Sequence, residues 1–209
     1  MAKITIIQYT PRYERSNTLK LLEHYKSKLN SQEHEIEIID LLKTQPKYFN
    51  EEGVNSYMKR NYGGVELTPH EEEEMKLHDM FAQKIVESDI IVLAYPTYNF
   101  TLPGIVKSFF DSILQKGKTW DIEDGSFVGR MQHANLLTIT TSSGVYNDEI
   151  GNKSWDINTQ IMTVYSQFMG VNNFEMIFAQ GLMGDEATVK SLQEEYKNID
   201  LLKDKGFGF

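Results

Sequence analysis

The stretch DIIVLAYPTYNFTLPG, Asp89 to Gly104, joins an apolar run of strand length to the start of an amphipathic helix. Leaving a buried strand at Pro96, the chain shows Tyr98, Asn99 and Phe100 in quick succession, then sets Pro103 at the head of the next element. Tyr98 and Phe100 offer flat apolar faces, and Asn99 offers both a donor and an acceptor, which suits a planar ligand with polar edges. Ordinary turn chemistry is the competing reading.

Outward from this stretch the same alternation repeats. Strand-length apolar runs begin at Lys3 (KITIIQY), Glu35 (EIEIIDL), Asp89 (DIIVLAYP), Ala134 (ANLLTITTS) and Asn173 (NFEMIFAQG). Amphipathic stretches predict helices at about Ser16–Asn30, Thr68–Ser88, Pro103–Gln115, Asn158–Met169 and Asp185–Asn198. Near-continuous apolar strands separated by helices predict a doubly wound, five-stranded parallel α/β sheet with helices on both faces. With the second strand at one edge, its order is 2-1-3-4-5, and residues 1–209 make one domain. Two segments interrupt the pattern and read as long loops, Thr44–Leu67 and Lys118–Arg130, and long ordered loops are often functional.

Composition narrows the function. A hydrophobic content of 40% in 209 residues can bury one substantial core. The absence of cysteine excludes disulfides, thiolate metal sites and cysteine nucleophiles, and fits a reducing cytoplasm. A net charge of −9 argues against nonspecific nucleic-acid binding. No run approaches the roughly 20 apolar residues that cross a bilayer, and ITIIQY reads as a strand rather than a secretory segment, so a soluble protein away from membranes is expected. The acidic run Glu71–Glu74 reads as a helix start, with Thr68 as cap, Pro69 in the first turn and Glu71 closing a capping box. His24, His34, His70 and His78 read as exposed positions and His133 as preceding a strand, with no metal-ligand spacing among them.

In an open α/β sheet, ligands bind beyond the carboxyl ends of strands beside the reversal of strand order. Three turns meet there. The first, YTPRYERSNT (Tyr9–Thr18), brings Thr10, Ser16, Asn17 and Thr18 to a helix start with Arg12 or Arg15 nearby, a setting for a phosphate; plain N-capping by Ser16 is the alternative. It holds neither G-x-G-x-x-G nor G-x-x-x-x-G-K-[ST], so no dinucleotide or nucleoside-triphosphate fingerprint is present. The second is Pro96–Phe100. The third, TTSSGVY (Thr140–Tyr146), adds hydroxyls and a glycine that admits close backbone approach. Together they favour a planar heterocycle carrying a monophosphate tail.

With these motifs the chain resembles the FMN-dependent NADH-azoreductases of the flavodoxin-like superfamily, which also act as quinone reductases. The resemblance rests on Ser16-Asn17, Leu67-Thr68-Pro69, the P-x-Y-N-F run at Pro96–Phe100, K-x-x-F-D at Lys107–Asp111 and FAQG at Phe178–Gly181. It implies that Arg15, Ser16 and Asn17 hold the FMN phosphate, that Pro96, Thr97, Tyr98, Asn99 and Phe100 border the isoalloxazine, and that Ser142, Ser143 and Gly144 touch its pyrimidine edge. It further implies a substrate pocket that includes Trp120, and a homodimer in which Tyr165 and Phe168 enter the partner's pocket. The first turn reads PRYER where the family carries more serines, and the third reads SSGV where S-R-G-G is common.

The activity so implied is ping-pong transfer of two electrons from NADH or NADPH through FMN to a quinone or azo compound. The cofactor supplies the redox chemistry, which accounts for the lack of a catalytic triad. A flavodoxin-type one-electron carrier is the rival reading, its acidic surface suited to redox partners. A cofactor-free hydrolase is disfavoured because SSG does not form G-x-S-x-G. PTYNF also contains no glycine, so left-handed backbone is expected to be costly in that turn.

Overall fold

A computed structural model describes residues 1–183 and 185–209. The chain runs β1 (Lys3–Gln8), α1 (Asn17–Lys28), β2 (Glu35–Asp40), α2 (Glu51–Asn61), α3 (Pro69–Val86), β3 (Ile90–Pro96), α4 (Gly104–Ile113), β4 (Trp120–Glu123), β5 (Ser126–Gly129), β6 (Asn135–Thr141), α5 (Ile157–Met169), β7 (Asn173–Ala179) and α6 (Asp185–Asp200). Five strands form one sheet in the order β2-β1-β3-β6-β7, and every neighbouring pair is parallel. Counted among the sheet strands, this is the expected 2-1-3-4-5.

The strands are apolar on both sides because both sides are covered. Ile7, Ile91, Leu93 and Tyr95 pack with Phe81, Phe109, Phe110 and Met162 from α3, α4 and α5. Ile4, Ile6, Val92 and Ala94 face the other way, onto Leu21, Leu22 and Tyr25 of α1 and Leu192 and Ile199 of α6. Burying one such aliphatic or aromatic side chain stabilises by roughly 1.5–3 kcal/mol. β2, at the edge, is buried fully only at Ile39. α1 and α4, which follow β1 and β3, thus lie on opposite faces, and a crevice is left beyond the carboxyl ends of those two strands.

The two interruptions are ordered elements rather than loops. Within Thr44–Leu67, Asn50 caps α2 by accepting from Gly53 N at 2.7 Å, Glu51 and Glu52 sit in the first turn and Lys59 and Arg60 in the last. Gly53 masks the helical signal; a Cβ there would lie 3.3 Å from Phe49 Cδ1 and from Asn50 Oδ1, a tight fit against two side chains. Within Lys118–Arg130, β4 and β5 pair antiparallel about Asp124-Gly125, whose φ values of 50° and 78° fit the type I′ hairpin turn. Gly129 then passes against the end of α5, where a Cβ would come within 2.4 Å of Met169 C and Gly170 N.

α2 and the segment leading into the hairpin share one carboxylate of the body. Asp79 of α3 takes a bidentate contact from Arg60 at 2.6 and 2.8 Å and a bond from Lys118 Nζ at 2.7 Å. Burial pushes the Asp79 carboxyl up, but those two cations outweigh it and hold the pKa below the usual carboxylate value. Asn61 Nδ2 donates to Lys116 O at 2.7 Å, and Lys116 N donates to Tyr57 Oη at 2.9 Å. At the head of α3 the capping box forms. Lys59, and then the Thr68 N–H, hold Glu71 down to about 2.

His78 is a correction: it is fully buried, not exposed. Its ring stacks on Phe49 at 4.0 Å. Ser112 Oγ donates to Ser108 O, so His78 Nδ1–H donates to Ser112 at 2.8 Å. Burial lowers its pKa below 6.5 and keeps the ring neutral.

Candidate functional site

A cleft of about 140 Å³ opens where the carboxyl ends of β1, β3 and β6 meet. Its floor follows from the sheet. Tyr9 N donates to Ala94 O, Thr97 N to Thr141 O and Ser142 N to Ala179 O, carrying the ladder one residue past each strand before the chains diverge.

Pro11, Arg12, Ser16, Asn17 and Thr18 form one wall. Ser16 caps α1, its Oγ accepting from Leu19 N at 3.2 Å. Among the described residues the N–H groups of Asn17 and Thr18 have no partner, as the first turn of a helix dictates. Arg60 and Arg130 are ion-paired, whereas Arg12 and Arg15 make no ion pair among the described residues. No Asp or Glu lines the cleft among the described residues. Free amides, the positive end of α1 and an unpaired guanidinium give this wall the chemistry that suits an anion. A buried bond of 2.7 Å between Thr18 and Thr141 hydroxyls fixes α1 to β6.

The second wall is Pro96, Thr97 and Tyr98. Tyr98 N donates to Thr101 O at 2.8 Å and Thr101 N returns to Tyr98 O at 3.1 Å, closing a two-residue turn. Its central residues, Asn99 and Phe100, have φ of 47° and 73°, the type I′ arrangement that favours Asn-Gly. The turn thus adopts left-handed backbone at both positions despite lacking glycine. Asparagine tolerates this; a residue such as Phe100 pays roughly 1–2 kcal/mol. The Asn99 and Phe100 amides have no partner among the described residues.

Beneath the turn lies a buried polar network. Tyr95 Oη donates to Asn158 Oδ1 at 2.8 Å, and Asn158 Nδ2 donates to Thr97 Oγ1 at 3.0 Å, with Thr140 Oγ1 3.3 Å from Thr97 Oγ1. Asn158 and Tyr95 are fully buried; burial raises the Tyr95 pKa far above its usual value. The third wall, Thr141, Ser142 and Ser143, is closed by Leu182 after β7. Ser142 Oγ donates to Gly144 O at 2.7 Å, and Leu182 N to Ser142 O at 3.1 Å.

The family model described as flavodoxin-like fold matches residues 2–201. The chain belongs to the flavodoxin-like fold family. Relatives of this flavodoxin-like chain include an FMN-dependent NADH:quinone oxidoreductase of Shewanella sp. (strain W3-18-1), 28% identical over 203 residues, covering 97% of this chain and 99% of the relative. Another so named, from Azospirillum brasilense, is 29% identical over 169 residues, 80% of each chain. Among solved structures, an FMN-dependent NADH-azoreductase from Bacillus anthracis str. Ames Ancestor in complex with FMN superposes with a TM-score of 0.84 at 22% identity, covering 97% of this chain and 99% of that one. An azoreductase from Bacillus anthracis str. Sterne gives 0.85 at 20% identity, covering 96% and 100%. These structural likenesses show the fold.

In this flavodoxin-like site, Ser16, Asn17, Pro96, Thr97, Tyr98, Ser142 and Ser143 line the cleft. Thr10 is buried below it, its carbonyl accepting from Tyr13 N. Arg12 lines the wall, and Arg15 stands outside the lining at the end of a short 3-10 turn. Asn99 and Phe100 form the turn beyond the rim. Gly144 is outside the lining, and a Cβ there would meet only the Tyr146 side chain, its hydroxyl at 3.4 Å. Trp120, Tyr165 and Phe168 do not line the cleft of their own chain. Trp120 packs on Phe168 at 4.9 Å and Phe127 at 5.5 Å, and Tyr165 on Phe110 at 4.4 Å. Sequence reasoning missed Pro11, Thr141 and Leu182 as lining and Asn158 as the support beneath Thr97. The FAQG run before Leu182 was the available signal.

Among the described residues no helix is long and apolar enough to cross a membrane.

Proposed function

We propose that this chain is an FMN-dependent oxidoreductase that passes two electrons from NADH or NADPH to a quinone or azo compound, with one FMN-binding domain spanning 1–209. The carrying observation is a cleft, lined by no Asp or Glu among the described residues, in which a free helix N-terminus meets Arg12, beside a turn whose amides are free. FMN fits this donor set. Its phosphate suits the Asn17 and Thr18 amides, Ser16 and Arg12; its ring suits the flat faces of Pro96–Tyr98; its polar edge suits free N–H groups at Asn99, Phe100 and Ser143. The slot is too small to enclose a whole flavin, and its chemistry is that of the phosphate and polyol tail. Bound FMN supplies the redox chemistry, with the balance NADH + H⁺ + quinone → NAD⁺ + hydroquinone. The chain's own part is to bind and orient, and the Asn158 network fixes the backbone that does so.

The same reading includes a homodimer in the cytoplasm, which a cysteine-free sequence suits. Tyr48, Val54, Met58, Tyr62 and Val65 expose apolar surface around α2, which a partner subunit would cover. Tyr165 and Phe168 reach the partner's cleft in this reading. Trp120 is only 6% exposed beside Phe127 at 68%, so Phe127 carries the hairpin's contact with the partner.

The test compares FMN with riboflavin. Arg12→Ala with Ser16→Ala should weaken FMN at least tenfold and leave riboflavin nearly unchanged, while the wild type consumes NADH steadily with a quinone. Equal weakening of both flavins, or NADH bleaching without acceptor turnover, overturns it. Light scattering showing a fully active monomer removes the dimer.

A further inference from the structure

Beside the cleft an aromatic surface extends outward from Phe100. Lys153–Trp155 forms a short 3-10 turn just before α5, whose amino end stands at the same end of the sheet as the cleft. The Trp155 ring meets Phe100 edge-on at 5.6 Å and 77°, and Phe100 meets Tyr146 at 6.3 Å. Phe100, Ser154, Trp155 and Ile157 line an apolar depression of about 320 Å³. Phe100 is 46%, Trp155 57% and Ile157 43% exposed. Large apolar side chains exposed together mark a binding surface more often than singly exposed ones do.

This surface adjoins the turn that leaves the cleft wall and is held in place. Phe100 belongs to the turn that begins at Tyr98, which lines the cleft, and its left-handed backbone fixes where the ring stands. The segment carrying Trp155 is braced: Asn152 Nδ2 donates to Val145 O at 2.8 Å, Asn147 N donates to Asn152 Oδ1 at 3.1 Å and Trp155 N donates to Asn152 O at 2.9 Å. A surface ordered before binding loses less entropy on binding.

Its charge selects the occupant. Lys153, the cation nearest in sequence, is paired with Asp148 at 2.8 Å. Asp156 is occupied as the cap of α5 by Thr159 N at 2.9 Å. Ser154 is the one polar residue lining this apolar depression among the described residues, and such a surface disfavours a charged group.

We propose that Phe100, Trp155 and Ile157 form the specificity surface for the electron acceptor, taking the second ring of an uncharged two-ring aromatic quinone whose reducible ring lies against the flavin ring held beside Pro96–Tyr98. The proposal rests on the function above and names its substrate class: neutral bicyclic acceptors are preferred over monocyclic and over sulfonated ones. The two-electron balance is unchanged.

The experiment uses the FMN-loaded full chain. Steady-state kcat/KM is measured with 1,4-naphthoquinone and 1,4-benzoquinone for the wild type, Trp155→Ala and Trp155→Phe. Calorimetry follows binding of 2-naphthol and of naphthalene-2-sulfonate. Trp155→Ala should lower the naphthoquinone-to-benzoquinone ratio about tenfold through KM, and Trp155→Phe should restore most of it. 2-Naphthol should bind the wild type at least tenfold more tightly than the sulfonate, and Trp155→Ala should lose that binding. An unchanged quinone ratio, or 2-naphthol binding indifferent to Trp155, overturns the surface. Sulfonate binding as tight as naphthol overturns its selectivity. A wild type that reduces neither quinone overturns the proposed function instead, and the naphthol titration still decides the surface.

Discussion

At Phe100 the ordinary ranking of alanine over glycine should reverse. Its φ of 73° occupies the second central position of a type I′ turn, where glycine carries no steric penalty and any L-residue does. Phe100→Ala and Phe100→Gly both remove the ring and its contacts with Trp155 and Tyr146, so those losses cancel in the comparison. What remains is the left-handed penalty, roughly 1–2 kcal/mol. Against it stands the lower chain entropy of unfolded alanine, roughly 0.4–1 kcal/mol. The Gly variant should therefore be the more stable by about 1 kcal/mol, a Tm difference of about 2–4 °C for a chain of this size. Gly104, which has no left-handed φ and open space around its Cβ position, is the control: Gly104→Ala should stabilise by roughly 0.5–1 kcal/mol. Urea unfolding followed by circular dichroism measures all four proteins, wild type included. Phe100→Ala equal to or more stable than Phe100→Gly would refute the strained turn.

His78 makes stability pH-dependent with a definite sign. Its folded pKa is depressed by burial from 6.5, so below about pH 6.5 the unfolded chain binds a proton that the folded chain refuses, and stability falls as pH falls. The urea midpoint should drop from pH 7 to pH 5, less steeply in His78→Gln, and an NMR titration placing His78 above 6.5 would contradict this. Asn158→Leu should cost about 2–4 kcal/mol by stranding the Tyr95 and Thr97 hydroxyls. Adding Tyr95→Phe should recover part of that loss, whereas simple additivity of the two changes would count against the network.

The sheet was legible because its strands are apolar runs bounded by turns, a signal local to each segment. Ser16-Asn17, Pro96–Tyr98 and Ser142-Ser143 were legible for a related reason, since the site of such a sheet falls where its strands end. Thr18 and Thr141 bond across 123 residues, and Asn158 reaches Thr97 across 61; nothing in either neighbourhood announces its partner. α2 escaped because Gly53 breaks the pattern where Phe49 and Asn50 pack close. The Asp124-Gly125 turn carried a clear hairpin signal, but four-residue strands flank it and show little alternation. His78 read as exposed because its neighbours Glu71–Glu74 and Asp79 are charged, although its own helical face turns inward with Met75, Phe81 and Ala82.

Asp79 has an architectural consequence. α2 and the β4–β5 hairpin are the two departures from strict strand–helix alternation, and neither adds a strand to the main sheet. Arg60 brings one to Asp79 and Lys118 the other, and Asn61 and Lys116 sew them together directly. They therefore amount to a single accessory module in which Asp79 is the shared fastener, beside the Lys59–Glu71 pair and the Phe49–His78 stack on α3 and the packing of Trp120 on Phe168 of α5. Altering one half leaves Asp79 still paired with the cation of the other, so the two halves share a fastener that survives the loss of either one.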